Sequence, residues 1–266
     1  MNMSQPEAPE ITKFKKECKA NIAEYSKDEA WKRLSIEWLA RAFKHKYINN
    51  FKSLGRPIIQ TPIDMVATQE LIWEVKPDLI IETGIAHGGS LIMSASMLTL
   101  IDYCEAIENG KTLDPNATGR HVLGLDIDIR QHNREAIEAH PMAHRIKMIE
   151  GSSLSHKTIA QVHGISKEYN QVLVLLDSNH THDHVLAELE AYAPLTSKGS
   201  YCIVFDTVIE DLPDDVFPDR PWCKGNNGKT AVWEFLKSNH DFEINKQFND
   251  KLVINTSPDG YLKRVR

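Results

Sequence analysis

The chain has no excess of positive charge, no paired-cysteine motif and no long apolar run, and each absence closes a class of function. Its 266 residues carry 31 Lys and Arg against 37 Asp and Glu, a formal net charge of -6. A general nucleic-acid binder would show a basic face, so mixed charge with mild acidity argues against nucleic acid as a partner. Cys18, Cys104, Cys202 and Cys223 form no CxxC pair, which predicts reduced thiols in a cytosolic protein. The opening MNMSQPEAPEITKFKKE lacks the apolar core of a signal peptide. No apolar stretch approaches the roughly 20 residues that cross a bilayer. The expectation is a soluble, cytoplasmic protein without membrane insertion. Internal repeats and low-complexity tracts are also lacking.

What is present is an alternation of strands and helices. The length and a 41% hydrophobic content fit one large α/β domain, or one domain with an appendage. Residues 1 to about 10 are polar with two prolines, which predicts a loosely attached start. From Ile11 to about Phe51 the pattern is helical, with Trp31, Leu34, Trp38 and Leu39 among the apolar positions at three- and four-residue spacing. The expected division is an N-terminal helical extension over 1–50 and a main domain over 51–266. The extension is expected to be either a cap over the sheet edge or a surface for another subunit, as in a homo-oligomer. SLGRPIIQTPIDM predicts an extended connection, followed by a helix from Thr68 to Val75. Five strands end DLIIE, HVLGLDID, RIKMIEG, QVLVLLDS and GSYCIVFDT, with helices between them and a loop insertion over 102–120. FEINKQF and KLVINTS predict a closing antiparallel pair. Together these predict a doubly wound, Rossmann-like sheet, mostly parallel with an antiparallel closing strand.

Each of those five strands closes on an acid: Glu82, Asp126, Glu150, Asp177 and Asp206. Open parallel sheets bind ligands at the carboxyl ends of their strands. Acids repeated along that edge suit ribose hydroxyls, a cationic cofactor or a divalent metal. Between Glu82 and the next helix lies ETGIAHGGS, where Gly84, Gly88 and Gly89 permit a sharp turn close to a ligand. The turn is not GxGxxG, and no Lys follows it, so neither the dinucleotide nor the Walker motif is met. A carboxylate directly before the turn repels pyrophosphate and attracts an amino group. S-adenosylmethionine, with its amino-acid head, sulfonium and ribose, fits best, with Asp126 taking the two ribose hydroxyls.

KPDLIIETGIAHGGS, LGLDIDIR, EGSS, LLDSNHTHDHV and SPDGYLKR, taken as a set from about Gly55 to Arg264, resemble the cephalosporin hydroxylase-type methyltransferases, which include macrolide-sugar O-methyltransferases. Gln60, Pro62 and Asp64 also match family positions. The resemblance implies an S-adenosylmethionine-dependent enzyme that often needs Mg²⁺. It places Glu82, Gly84, His87, Gly89 and Ser90 around the methionine end of the donor, with Ser152 or Ser153 near the adenine and Asp177 also among the donor-binding residues. The name does not imply hydroxylation: no facial triad of two His and one carboxylate is evident.

Asp177 and Asp206 close consecutive strands. If those strands are neighbours, about 4.8 Å apart, the two carboxylates can share one hard cation such as Mg²⁺. In the similar family a third ligand adjoins the second aspartate. Phe205 cannot ligate, which leaves Thr207 or water for that place. His180, three residues after Asp177, is expected to act with it in catalysis as the base for a hydroxyl. His182 and His184 are assigned helix-capping and surface roles, and Glu150 a structural one. The loop RPWCKGNNGKTAV is expected to close over the acceptor, with Trp222 stacking on a ring and Asn226 and Asn227 bonding its hydroxyls. The predicted function is O-methylation of a sugar, glycosylated natural product or surface polysaccharide. A catechol-like phenol acceptor and a non-catalytic cofactor-binding scaffold remain open alternatives.

Overall fold

A computed structural model describes residues 7–266. The segment before residue 7, expected to be loosely attached, lies outside the described residues. Helix α1 (Pro9–Tyr25) begins on a proline, whose missing N–H costs nothing in a first turn. Helix α2 (Glu29–Lys44) is capped by Asp28, which accepts from the Trp31 N–H at 2.9 Å. Leu39 and Ala40 of α2 bury against Val208, Leu212 and Val216. A short hairpin follows, β1 (Phe51–Ser53) with β2 (Arg56–Ile58), where the sequence predicts only an extended connection. Helix α3 (Pro62–Val75) starts earlier than expected, because Thr61 caps it and Pro62 occupies its first position.

The core is a seven-stranded sheet in the order β5-β4-β3-β6-β7-β9-β8. Its strands are β3 (Leu79–Thr83), β4 (His121–Asp126), β5 (Ile146–Glu150), β6 (Val172–Leu176), β7 (Tyr201–Val204), β8 (Phe242–Ile244) and β9 (Tyr261–Arg264). The first five are parallel, and β9 runs antiparallel to β7 and β8. β3 and β6 are buried throughout, as central strands covered on both faces must be. Ile80, Val122 and Leu173 point to one face, under α3 and α4 (Gly89–Glu108). Leu79, Ile81, Leu123 and Val174 point to the other, under α6 (His156–Ser166), α7 (His182–Tyr192) and α8 (Gly228–Ser238). The remaining helices are α5 (Gln131–Glu138) and α9 (Lys246–Leu252).

Helix α4 is long and apolar enough to cross a bilayer by length and composition, against the expectation that no stretch approaches that length. Leu91, Ile92, Ala95, Leu98 and Ile101 are fully covered by the sheet and its neighbours, so it is the central core helix. The closing pair also differs from expectation. KLVINTS is not a strand: Lys251 and Leu252 end α9, and Val253 at φ 57 turns the chain away. Asn245 accepts from the Phe248 N–H at 3.1 Å and so caps a helix after β8. The partner of β8 is instead β9, entered through Gly260, where a Cβ would lie 2.2 Å from the Val204 carbonyl oxygen.

Candidate active site

Chain order runs outward from β3 to β4 and β5, then returns to β6 and β7 on the other side. The crevice at that switch point is where a doubly wound sheet binds ligands. Glu82, Asp126, Asp177 and Asp206 stand along it, on or just after β3, β4, β6 and β7. Glu150, at the outer β5, forms a surface pair with Arg134 at 2.7 Å, the structural role expected of it.

Glu82 is 1% exposed, and burial raises its carboxyl pKa to about 7. Ser90 donates to one of its oxygens, while Oε2 has no protein donor. A buried carboxylate oxygen left open beside a glycine turn is a receptor for a cationic group. Gly84 (φ 90) has no room for a side chain: its Cβ would sit 2.0 Å from the Asp177 carbonyl oxygen. Gly89, at the start of α4, likewise lies against the Pro57 carbonyl. His87, Gly89 and Ser90 line a small cleft together with Gln60 and Asp177, next to the free N–H groups that begin α4.

Two residues that the sequence reading missed hold this turn. Arg56 donates to the His87 carbonyl through Nε at 3.0 Å and Nη2 at 2.6 Å, and reaches the Asn133 side-chain oxygen at 3.1 Å. Asn133 donates to the Ala86 carbonyl at 2.9 Å. Neither residue lies near the turn in sequence, so only the fold could reveal the clamp.

Asp126 is more committed than expected. Its Oδ2 accepts from the N–H groups of Ile85 (2.8 Å) and Ala86 (3.2 Å), and its Oδ1 from Asp128 N–H (3.1 Å). Of the roughly four acceptor positions of a carboxylate, one remains, enough for one ribose-type hydroxyl and not two. Beyond it lies a cavity of about 160 Å³ that includes Ser152, Ser153, Ile127, Asn179 and His184. A larger cavity of about 560 Å³, between α2 and residues 249–258, shares none of the expected site residues.

At the other end, β6 and β7 are paired neighbours, as the two-aspartate reading requires. One ligand atom each from Asp177, His180 and Asp206 lies within 4.8 Å of the others. His180 Nε2 is 3.3 Å from the Asp206 carboxylate, and the Trp222 ring meets the imidazole edge-on at 4.9 Å. Burial first, then the Asp206 charge, holds the Asp177 carboxyl well above the usual carboxylate range, with Gln60 opposing the rise. Two carboxylates in mutual repulsion beside an imidazole are a donor set that fits a divalent cation. Thr207 does not join them. Asp206 adopts φ 57, and the turned chain buries Thr207, whose hydroxyl donates to the Pro258 carbonyl at 2.6 Å. Behind the site, Asp64 is fully buried and accepts from the Thr61 and Thr256 hydroxyls, and burial lifts its pKa to about 6.

The loop contributes differently from expectation. Trp222 stays at the mouth, with Arg220 stacked at 5.1 Å from its ring. The Asn226 side chain accepts from His182 N–H and donates to the Pro221 carbonyl. Asn227 is fully buried and caps α8 in a reciprocal box with Thr230. The Asn227 amide is committed to the cap, the Glu210 carboxylate and the Cys223 carbonyl, and the Asn226 amide ties the loop to the start of α7. His182 is a structural contact of α8 through Thr230 at 2.8 Å.

The family model for rhamnosyl O-methyltransferase/CmcI matches residues 45–265. The chain belongs to that family. Among its members, a protein named rhamnosyl O-methyltransferase from Mycobacterium tuberculosis is 28% identical over 205 residues, 76% of this chain and 73% of that protein. One of the same name from Mycobacterium leprae is 26% identical over 181 residues, 66% and 70% of the two chains. Two solved CmcI structures, one apo and one with Mg and SAM, superpose with a TM-score of 0.53 at 17% and 18% identity. They cover 82% of this chain and 77% and 78% of theirs, and they show the shared fold. As a rhamnosyl O-methyltransferase/CmcI family member, the chain has Phe205 before Asp206 and offers no side-chain ligand there; with Thr207 turned away, the third place falls to water.

Proposed function

We propose that this protein transfers a methyl group from S-adenosylmethionine to a hydroxyl of a sugar or glycosylated natural product, assisted by Mg²⁺. The observation that carries the donor is the buried, open Oε2 of Glu82 beneath a glycine turn, which would receive the α-amino group of the donor's amino-acid head. The rhamnosyl O-methyltransferase name of the relatives supports a sugar acceptor.

When bound, the donor supplies an electrophilic methyl on a sulfonium, and a cation held by Asp177 and Asp206 supplies charge that favours an alkoxide. The chain's own residues do the rest. Glu82 holds the ammonium, and the last free position on Asp126 takes a ribose hydroxyl. His180 takes the hydroxyl proton at Nε2 while the O–CH₃ bond forms and the S–CH₃ bond breaks, releasing S-adenosylhomocysteine. Trp222, edge-on to His180, walls the acceptor side of the mouth. Alignment of the oxygen with the sulfonium methyl supplies most of the gain in such a displacement.

Calorimetric titration with S-adenosylmethionine tests the donor, and its pH profile tests Glu82. The Glu82 carboxyl is charged only as pH rises through about 7. A free α-amino group loses its charge above about 8. Affinity should therefore peak between about pH 7 and 8 and fall on both sides. Absence of binding at every pH would end the donor assignment, and binding without pH dependence would remove Glu82 from it.

A further inference from the structure

At the far end of the crevice from Glu82, the cavity beside Asp126 has a floor whose chemistry points to the nitrogenous base it would take. Helix α7 carries His184 and, one turn later, Glu188. The carboxylate of Glu188 is completely buried. Its Oε2 accepts from Thr83 Oγ1 at 3.2 Å and its Oε1 from Ser178 Oγ at 2.7 Å. His184 Nε2 stands 3.3 Å from the same Oε1, and 3.3 Å from the hydroxyls of Ser153 and Ser178. An ionised carboxylate only accepts hydrogen bonds, so the nitrogen that faces it carries the hydrogen. In a neutral imidazole the other nitrogen is then an acceptor. His184 lines the cavity, and no protein group bonds its Nδ1 among the described residues. An acceptor without a protein partner is thus left on a ring that lines the pocket, with the tautomer fixed by Glu188.

We infer that His184 reads the base of the donor: Nε2–H rests on Glu188, and Nδ1 accepts a hydrogen bond from an exocyclic amino group such as that of adenine. Glu188 is the positioning residue, acting through His184 and touching no ligand. The inference rests on the donor proposed above and adds the residue that selects its base. A base with an oxygen in place of the amino group sets acceptor against acceptor, leaving Nδ1 unpaired in a small cavity. Leaving a buried polar group unpaired costs about 1–3 kcal/mol, or roughly fivefold to 150-fold in affinity.

The test is calorimetry with two ligands, S-adenosylhomocysteine and S-inosylhomocysteine, which differ in that amino-to-oxo exchange and in the hydrogen it places on the adjoining ring nitrogen. The wild-type protein should favour the adenosyl ligand by about fivefold or more. His184→Ala should bind the two with equal affinity. Glu188→Gln should narrow or invert the preference, because a glutamine amide can donate to Nε2 and so leave Nδ1 carrying the hydrogen. A purely structural role for either residue would weaken both ligands alike and leave their ratio untouched. The inference is overturned if wild type shows no preference, or if His184→Ala keeps it in full. Should Glu188→Gln fail to fold, the His184→Ala ratio still decides. Failure of wild type to bind either ligand is a different result, which ends the donor assignment itself.

Discussion

Asp177→Asn is expected to cost about 10²–10³-fold in kcat/KM while making the protein more stable to heat. The activity loss follows from the proposed role of Asp177 as one of two carboxylates that would hold a cation beside the developing alkoxide. The gain in stability follows from the same site viewed in the resting protein. Burial and the Asp206 charge hold the Asp177 carboxyl well above its ordinary range. Its folded pKa exceeds its unfolded one, so charging it costs the native state stability as pH rises above the unfolded value. The neutral amide removes that cost near pH 7. In a chain of this size each kcal/mol recovered raises Tm by about 2–4 °C. Steady-state kinetics and a melt in chelator check the two halves together. An Asp177→Asn protein with full activity would refute the cation site, and one that melted lower would refute the repulsion between the two acids.

Gly84→Ala should do the opposite, damaging the fold and the donor site at once. Its φ of 90 disfavours any side chain, and the added Cβ would meet the Asp177 carbonyl oxygen at 2.0 Å. Both partners are backbone, so no rotamer relieves the overlap, and separating β3 from β6 is the only release. A loss of at least about 3 kcal/mol is expected, with S-adenosylmethionine binding abolished. Gly164→Ala is the matched control. It lies inside α6 with nothing within 4 Å of its Cβ position, so it should stabilise by about 0.5–1 kcal/mol. Equal melting temperatures for the two variants would contradict this account of the turn.

The parts of the fold legible in the sequence are those where a single strand or turn carries its own signal. DLIIE and VLVLL announce buried parallel strands because both faces must be apolar, and the acid after each run marks its carboxyl end. That suffices to place Glu82, Asp126, Asp177 and Asp206 along one edge. The misreadings share a cause: partners distant in sequence decided them. Thr207 adjoins Asp206, yet the left-handed turn at Asp206 sends it to Pro258, 51 residues away. KLVINTS has strand composition, but the Asn245 cap and the anchoring of Phe248 in the core make its start helical. Asn226 and Asn227 look like acceptor ligands because they are polar and in a loop. A loop's backbone needs partners of its own, and these amides supply them. The Asn227–Thr230 capping box was legible as N-x-x-T before a helix, and so was His184–Glu188 at i, i+4 spacing. Arg56 and Asn133 were not, since nothing local ties either to the glycine turn.

The most direct measurement is methyl transfer from S-adenosylmethionine bearing a deuterated methyl to a panel of rhamnosides, read by mass spectrometry of acceptor and donor together. The account predicts one labelled methyl on a sugar oxygen, an equal yield of S-adenosylhomocysteine, and loss of both signals in Asp177→Asn. Donor binding without label on any hydroxyl of a sugar or glycosylated acceptor, or label transferred undiminished by Asp177→Asn, would contradict it.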